Sequence, residues 1–176
     1  MFVFAADTRN PSPVLPSSLT VSVVTFRPDT VLLERCLRKL ALAIGAARED
    51  GCVKSVAVAL IDNSEDRIVA DEVIRLGKAR FADSGIQVTY LHGHLNIGYG
   101  IAHNLMLHGT GADYQLVLNP DVEVASDGIA NAVRWLDAHP DVGAGDDDGL
   151  RLAHAHVGPG LRRTASRACR RSGSRS

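Results

Sequence analysis

A chain of 176 residues, 45% of them apolar, is long enough for one core of ordinary size and too short for two full domains. Its formal net charge of -1 hides a split: all 20 acids and 12 of the 19 bases fall in residues 1–149, while residues 150–176 carry the other seven bases, all arginine, so an acidic body bears a basic appendage. Cys36, Cys52 and Cys169 have no C-x-x-C spacing, which argues against a disulfide framework or a thiolate zinc site and for a reducing cytosol.

The first stretch, "MFVFAADTRNPSPVLPSS", opens on an apolar run but lacks the basic region of a secretion signal. No window of the chain reaches the roughly 18 apolar residues of a membrane span. Residues 1–18 therefore read as a soluble, poorly ordered leader. "LTVSVVTF" (19–26) is a β-branched apolar run closed by a proline, the pattern of a buried strand. From Asp29, a suitable N-cap, "TVLLERCLRKLALAIGAARED" has apolar residues at helical spacing up to Gly51. Cys36 and Leu-rich neighbours on it read as core packing. "VKSVAVALIDN" (53–63) predicts a second buried strand and "DRIVADEVIRLGKARFADSG" a second amphipathic helix. "IQVTYLHG" is the third strand, "NIGYG" opens a third helix, and "YQLVLNPD" is the fourth strand. Ser126 can cap a fourth helix, "DGIANAVRWLDAHPD", whose Trp135 should cover the sheet.

Strands alternating with helices of this length predict an α/β fold with a mostly parallel sheet covered on both faces. Ligands of such sheets sit beyond the carboxyl ends of the strands. Those ends read "TFRPD", "IDNSED", "LHGHLN" and "NPDVE", and all are polar.

Each end has a chemical and a plainer reading. Asp62, directly after "VAVALI", can accept from a pyrimidine ring N–H or a ribose hydroxyl; otherwise it or Asn63 caps the next turn. The glycines of "LNIGYGIAHN" let backbone approach a ligand and bring helix N–H groups that suit phosphate, unless they merely ease a loop. A dinucleotide fingerprint is not met, because His103 stands where its third glycine belongs and the stretch follows the third strand. In "LVLNPDVEV", Asn119 and Asp121 share a face if the backbone stays extended, and such hard oxygen ligands suit Mg²⁺ or Mn²⁺; an Asx-Pro turn is the alternative. His92, His94 and His103 come with no consistent N/S ligand set, so zinc is not expected.

In this order, "VSVVTFRPD", "ALIDNSED", "NIGYGIAHN" and "LVLNPDVEV" with the following "HPDVGA" resemble the nucleotide-binding half of family 2 glycosyltransferases of the GT-A fold, rhamnosyltransferase-like members above all, over residues 19–145. The resemblance implies that Thr25 and Phe26 line a base and ribose pocket, that Asp62 binds the uracil or thymine edge or the ribose, and that Asn96, Gly98 and Asn104 shape the floor beneath nucleotide and sugar. It implies further that Asp121 holds the Mg²⁺ or Mn²⁺ bridging the diphosphate, with Asn119 in place of the first acid of the Asp-x-Asp motif. The implied activity is metal-assisted, inverting transfer of a sugar, rhamnose by this resemblance, from a dTDP- or UDP-linked donor to a cell-surface polysaccharide or its lipid-linked precursor. The implied place is the cytoplasm, or the inner membrane face without a spanning segment.

The family's catalytic base lies beyond its metal motif. After "HPDVGA" the last 31 residues instead change abruptly to Arg, Ala, Ser, Gly and Pro, with no periodicity. Residues 146–176 are expected to be a disordered tail, and the chain reads as a truncated or frameshifted product. The alternative to an active transferase is then a non-catalytic nucleotide-sugar-binding remnant with no catalytic residue to name. Seven arginines without aromatic neighbours give only a non-specific attraction to RNA or an anionic membrane. A nucleotidyltransferase would want a glycine-rich loop after the first strand, which "TFRPDTVL" lacks.

Overall fold

A computed structural model of the chain describes residues 2–5, 17–107 and 111–139. The order of elements is β1 (Phe2–Ala5), β2 (Ser17–Thr25), α1 (Thr30–Glu49), β3 (Val53–Asp62), α2 (Arg67–Phe81), β4 (Gln87–Leu91), α3 (Tyr99–Leu107), β5 (Tyr114–Leu118) and α4 (Gly128–Asp137). The alternation expected from apolar periodicity is present throughout residues 19–137.

The sheet runs β1-β5-β2-β3-β4. Strands β5, β2, β3 and β4 are mutually parallel. Strand β1 is the exception, antiparallel to β5 with Phe2 opposite Val117. The leader assignment therefore changes at both its ends, where Phe2–Ala5 forms an edge strand and Ser17–Ser18 already belong to β2. Its middle and the Arg-rich tail lie outside the described residues, as does the "PDVGA" segment.

Residue parity sorts the two faces. Leu19, Val21 and Val23 of β2 stand beside Val56, Val58 and Leu60 of β3 and Tyr114, Leu116 and Leu118 of β5. These face the large core completed by α1, α2 and α4. Helix α1 fits there because Leu33, Cys36, Leu37, Leu40, Ile44 and Ala47 recur at three- and four-residue spacing along one stripe. Val24, Ala59 and Ile61 point the other way, onto Ala102 of α3. The change of side is required: the chain steps outward from β2 to β3 to β4, then reverses to β5, and a constant crossover hand carries the reversing helix to the opposite face.

Asp29 Oδ1 accepts from the backbone N–H groups of Val31 and Leu32 and so starts α1, as its position suggested. Asp113 Oδ2 accepts from both Ser18 N (2.8 Å) and Ser18 Oγ (2.7 Å), pinning the entry of β5 to the start of β2. Helix α4 is tied down by the Tyr114 hydroxyl donating to Asp137 and by an Arg134–Asp50 ion pair. Two details at α4 differ from the sequence expectation. Asp127 takes the cap position in place of Ser126, with no side-chain cap bond. Trp135 is 47% exposed and stacks on His139 instead of covering the sheet. The buried stripe runs through Ile129, Ala132, Val133 and Leu136, which turns position 135 outward.

Candidate functional site

Because β2, β3, β4 and β5 are parallel, their polar carboxyl ends gather at one edge of the sheet. Counted across that edge the order is β4-β3-β2-β5, so the direction of winding reverses between β2 and β5. The loops leaving β2 and β5 lead to α1 and α4 on one face, while α3 of the reversing crossover lies on the other, and ligands of open parallel sheets sit beyond the carboxyl ends beside such a reversal. A cavity of about 450 Å³ opens there.

Each neighbouring element supplies part of its wall. The end of β2 gives Val24 and Phe26, the start of α1 gives Pro28, Asp29 and Leu32, α3 gives Tyr99, and the turn after β5 gives Asn119, Pro120 and Asp121. Asn119 and Asp121 thus line one space, but not for the reason expected. The strand does not continue through them: the Val122 N–H returns to the Asn119 carbonyl across a turn (3.3 Å), because Pro120 ends the ladder. The Cys36 thiol reaches the same carbonyl from α1 (3.5 Å). Burial first, and then the Asp121 charge, push that thiol up to about 12.

Asp121 is exposed and has no hydrogen-bond or ion-pair partner among the described residues. The other acids nearby are engaged. Asp29 caps α1, and Glu123 pairs with Arg35. The Asn119 amide oxygen accepts from the Tyr99 hydroxyl. Among the described residues no lysine or arginine lines the cavity. The Arg27 guanidinium lies over the ring of the lining residue Phe26, 5.3 Å from its centroid. Arg27 itself sits at φ 46°, a left-handed conformation stabilised by its N–H donating to Ser64 Oγ (2.8 Å).

Asp62 is the last residue of β3, opposite Thr25, and only 2% exposed. Its Oδ1 accepts from Thr25 Oγ1 (2.7 Å) and Ser64 Oγ (2.9 Å), while Oδ2 is buried without a partner among the described residues. A buried carboxylate oxygen left unmatched is costly unless something donates to it. Parity turns Thr25 and Asp62 toward the face of α1 and α2, and neither lines the 450 Å³ cavity. Of the acids at this edge, Asp121 is thus open and Asp62 sheathed.

The glycine stretch builds a turn more than a floor. Asn96 Oδ1 accepts from Gly98 N (3.0 Å), and Gly98 at φ 84° starts α3 and sets Tyr99 against the cavity. Asn96, Gly98 and Asn104 are all exposed, and none is among the cavity's lining residues. His103 is buried, with Nδ1 2.7 Å from Ser22 Oγ, and burial holds its imidazole down at about 4. His94 Nε2 meets Asn63 Oδ1 at 3.0 Å, linking the loop after β4 to the end of β3.

Tyr99, Leu32, Pro28 and Arg27 were not singled out from the sequence. The signal for Tyr99 was present, as a lone aromatic between two glycines at a helix start; its partner Asn119 is 20 positions away. The donor set suits some metals and not others. Among the described residues no group of three or more His, Cys, Asp or Glu side chains converges, which does not suit a closed zinc site. One free carboxylate does suit Mg²⁺ or Mn²⁺ when substrate phosphates complete the shell. No family model matches the sequence, and no curated protein does.

Proposed function

We propose that the cavity between the ends of β2 and β5 binds a nucleoside diphosphate sugar, and that the chain is the donor-binding half of a GT-A glycosyltransferase of the family 2, rhamnosyltransferase-like kind. The observation that carries this reading is the coincidence of a carboxylate, Asp121, without a partner among the described residues, with a cavity at the point where the strand order of the parallel sheet reverses. Phe26 offers a ring to a base or sugar, and the apolar walls of Val24, Pro28 and Leu32 suit its edges. Asp62 lies outside the wall of this cavity, and its orphan oxygen could take a ring N–H or ribose hydroxyl only from a ligand that reaches the end of β3.

Asp29 and Asp121 make the cavity acidic, with no base among the described residues of its wall. A diphosphate would face repulsion there of about 1–3 kcal/mol per close charge pair. A divalent cation at Asp121 removes that obstacle and, when bound, offsets the charge of a departing diphosphate. This chain's own part is to hold the cation by Asp121, to keep that carboxylate beside Tyr99 through the turn fastened by Cys36 and Pro120, and to present Phe26 and Arg27 at the mouth.

A second reading, binding without turnover, has a specific observation in its favour. Of the two carboxylates among the described lining residues, Asp29 is spent on the helix cap and Asp121 would be spent on the cation, which leaves neither to deprotonate an acceptor hydroxyl. The saccharide or lipid-linked acceptor belongs to the first reading alone. No described helix is long and apolar enough to cross a membrane.

A thermal-shift panel of UDP, dTDP and GDP with and without Mn²⁺ tests the common claim. Release of nucleoside diphosphate from a radiolabelled sugar donor, with Asp121→Ala as control, separates the two readings. Stabilisation by none of the nucleotides would end both.

A further inference from the structure

Tyr99 is the first residue of α3, and its ring is held from both ends. Its edge meets His103 with ring centroids 4.3 Å apart at 75°, and His103 is anchored in turn to Ser22 in the middle of β2. At the other end its hydroxyl donates to Asn119 Oδ1. A phenol has a single proton to give. Once that proton is committed to Asn119, the Tyr99 oxygen can offer the cavity nothing but an acceptor.

Asn119 is altered by the same bond. Its amide oxygen meets the phenol, so it is not a bare ligand waiting for a cation. The adjoining polar group is the Asp121 carboxylate, also an acceptor. The Asn119 amide keeps its N–H donors for a phosphate oxygen, while a sugar hydroxyl finds an acceptor in the Tyr99 oxygen. The aromatic ring of Tyr99, 44% exposed, adds an apolar face of the kind that pyranose C–H groups cover.

We infer that Tyr99 is a specificity-determining residue that receives a hydroxyl of the donor's sugar, and that Asn119 is a positioning residue for the Tyr99 hydroxyl instead of a metal ligand. This rests on the reading that the cavity takes a nucleoside diphosphate sugar. It departs from the role that the Asp-x-Asp resemblance gives to Asn119.

The test compares wild type with Tyr99→Phe, Asn119→Ala, Asn119→Asp and Asp121→Asn. Affinity for Mn²⁺ alone is read by electron paramagnetic resonance, and affinities for UDP, UDP-glucose, dTDP and dTDP-rhamnose in Mn²⁺ by calorimetry. Tyr99→Phe and Asn119→Ala should lower the preference for sugar-linked over plain nucleotide by about threefold to tenfold, the range of one neutral hydrogen bond, with Mn²⁺ and plain-nucleotide affinity kept within about twofold. Asn119→Asp keeps the acceptor and should restore the preference, which a merely structural role would not do. Asp121→Asn should weaken Mn²⁺ itself. An unchanged preference in Tyr99→Phe, or loss of Mn²⁺ in Asn119→Ala equal to that in Asp121→Asn, overturns the inference while leaving the donor-binding reading intact. A wild type that binds none of the four nucleotides in Mn²⁺ overturns both.

Discussion

Two helical glycines offer a controlled test of how α2 lies on the sheet. A Cβ added at Gly77 would come within 2.5 Å of Leu60 Cδ1 and 2.8 Å of Tyr90 Cε1. Leu60 is 1% exposed and has nowhere to retreat, so the strain must move Tyr90 or lift the helix from β3 and β4. At Gly45 of α1 the same Cβ meets nothing within 4 Å. Glycine to alanine in a helix gains about 1 kcal/mol from propensity at either place, so the difference between Gly77→Ala and Gly45→Ala isolates the packing cost. Overpacking of a filled core costs about 1–3 kcal/mol. Gly45→Ala should therefore be stabilised by up to about 1 kcal/mol, and Gly77→Ala should fall about 1–3 kcal/mol below it. Urea unfolding of both variants measures the gap, and at this chain length each kcal/mol moves Tm by about 2–4 °C. Equal midpoints for the two variants would mean that α2 does not press on Leu60 and Tyr90, and the packing described here would be wrong.

Two further outcomes follow from local chemistry. Asp29→Ala removes the acceptor of two backbone N–H groups and should cost about 1 kcal/mol in thermal or urea unfolding; no loss would mean that the cap is not formed. His103 is held at about 4 against an ordinary 6.5, so the folded state binds fewer protons than the unfolded chain between those values. Stability from this group is whole above 6.5, declines as pH falls and is gone below about 4, with a slope of at most about 1.4 kcal/mol per pH unit. His103→Gln should flatten the slope of stability against pH in that window relative to wild type, and an unaltered slope would contradict the burial of a neutral imidazole.

Much of the architecture was legible because its signals are local. Six of the nine residues of β2 and seven of the ten of β3 are apolar or β-branched, and the stripes of α1 and α2 repeat at helical spacing. The first strand was not legible: four apolar residues before a Pro-rich stretch carry no period, and only the open edge of β5 gives them a partner. The candidate site divides in the same way. That Asp62 shares a face with Val56, Val58 and Leu60 follows from counting by twos along the strand. That Asn119 and Asp121 meet across a turn does not, since an extended backbone was assumed where Pro120 breaks it. The Tyr99–Asn119 bond joins residues on different elements, and no pattern within either segment announces it.

The central claim is that an acidic crevice at the β2–β5 reversal accepts a diphosphate through a cation on Asp121. Calorimetric titration of UDP and dTDP into wild type and Asp121→Asn, each with and without Mn²⁺, tests it most directly. The account predicts that Mn²⁺ tightens nucleotide binding to wild type by about fivefold or more, as removal of about 1–3 kcal/mol of repulsion implies, and that Asp121→Asn loses this gain. Nucleotide binding of equal strength without metal, or a gain that survives Asp121→Asn, would contradict it.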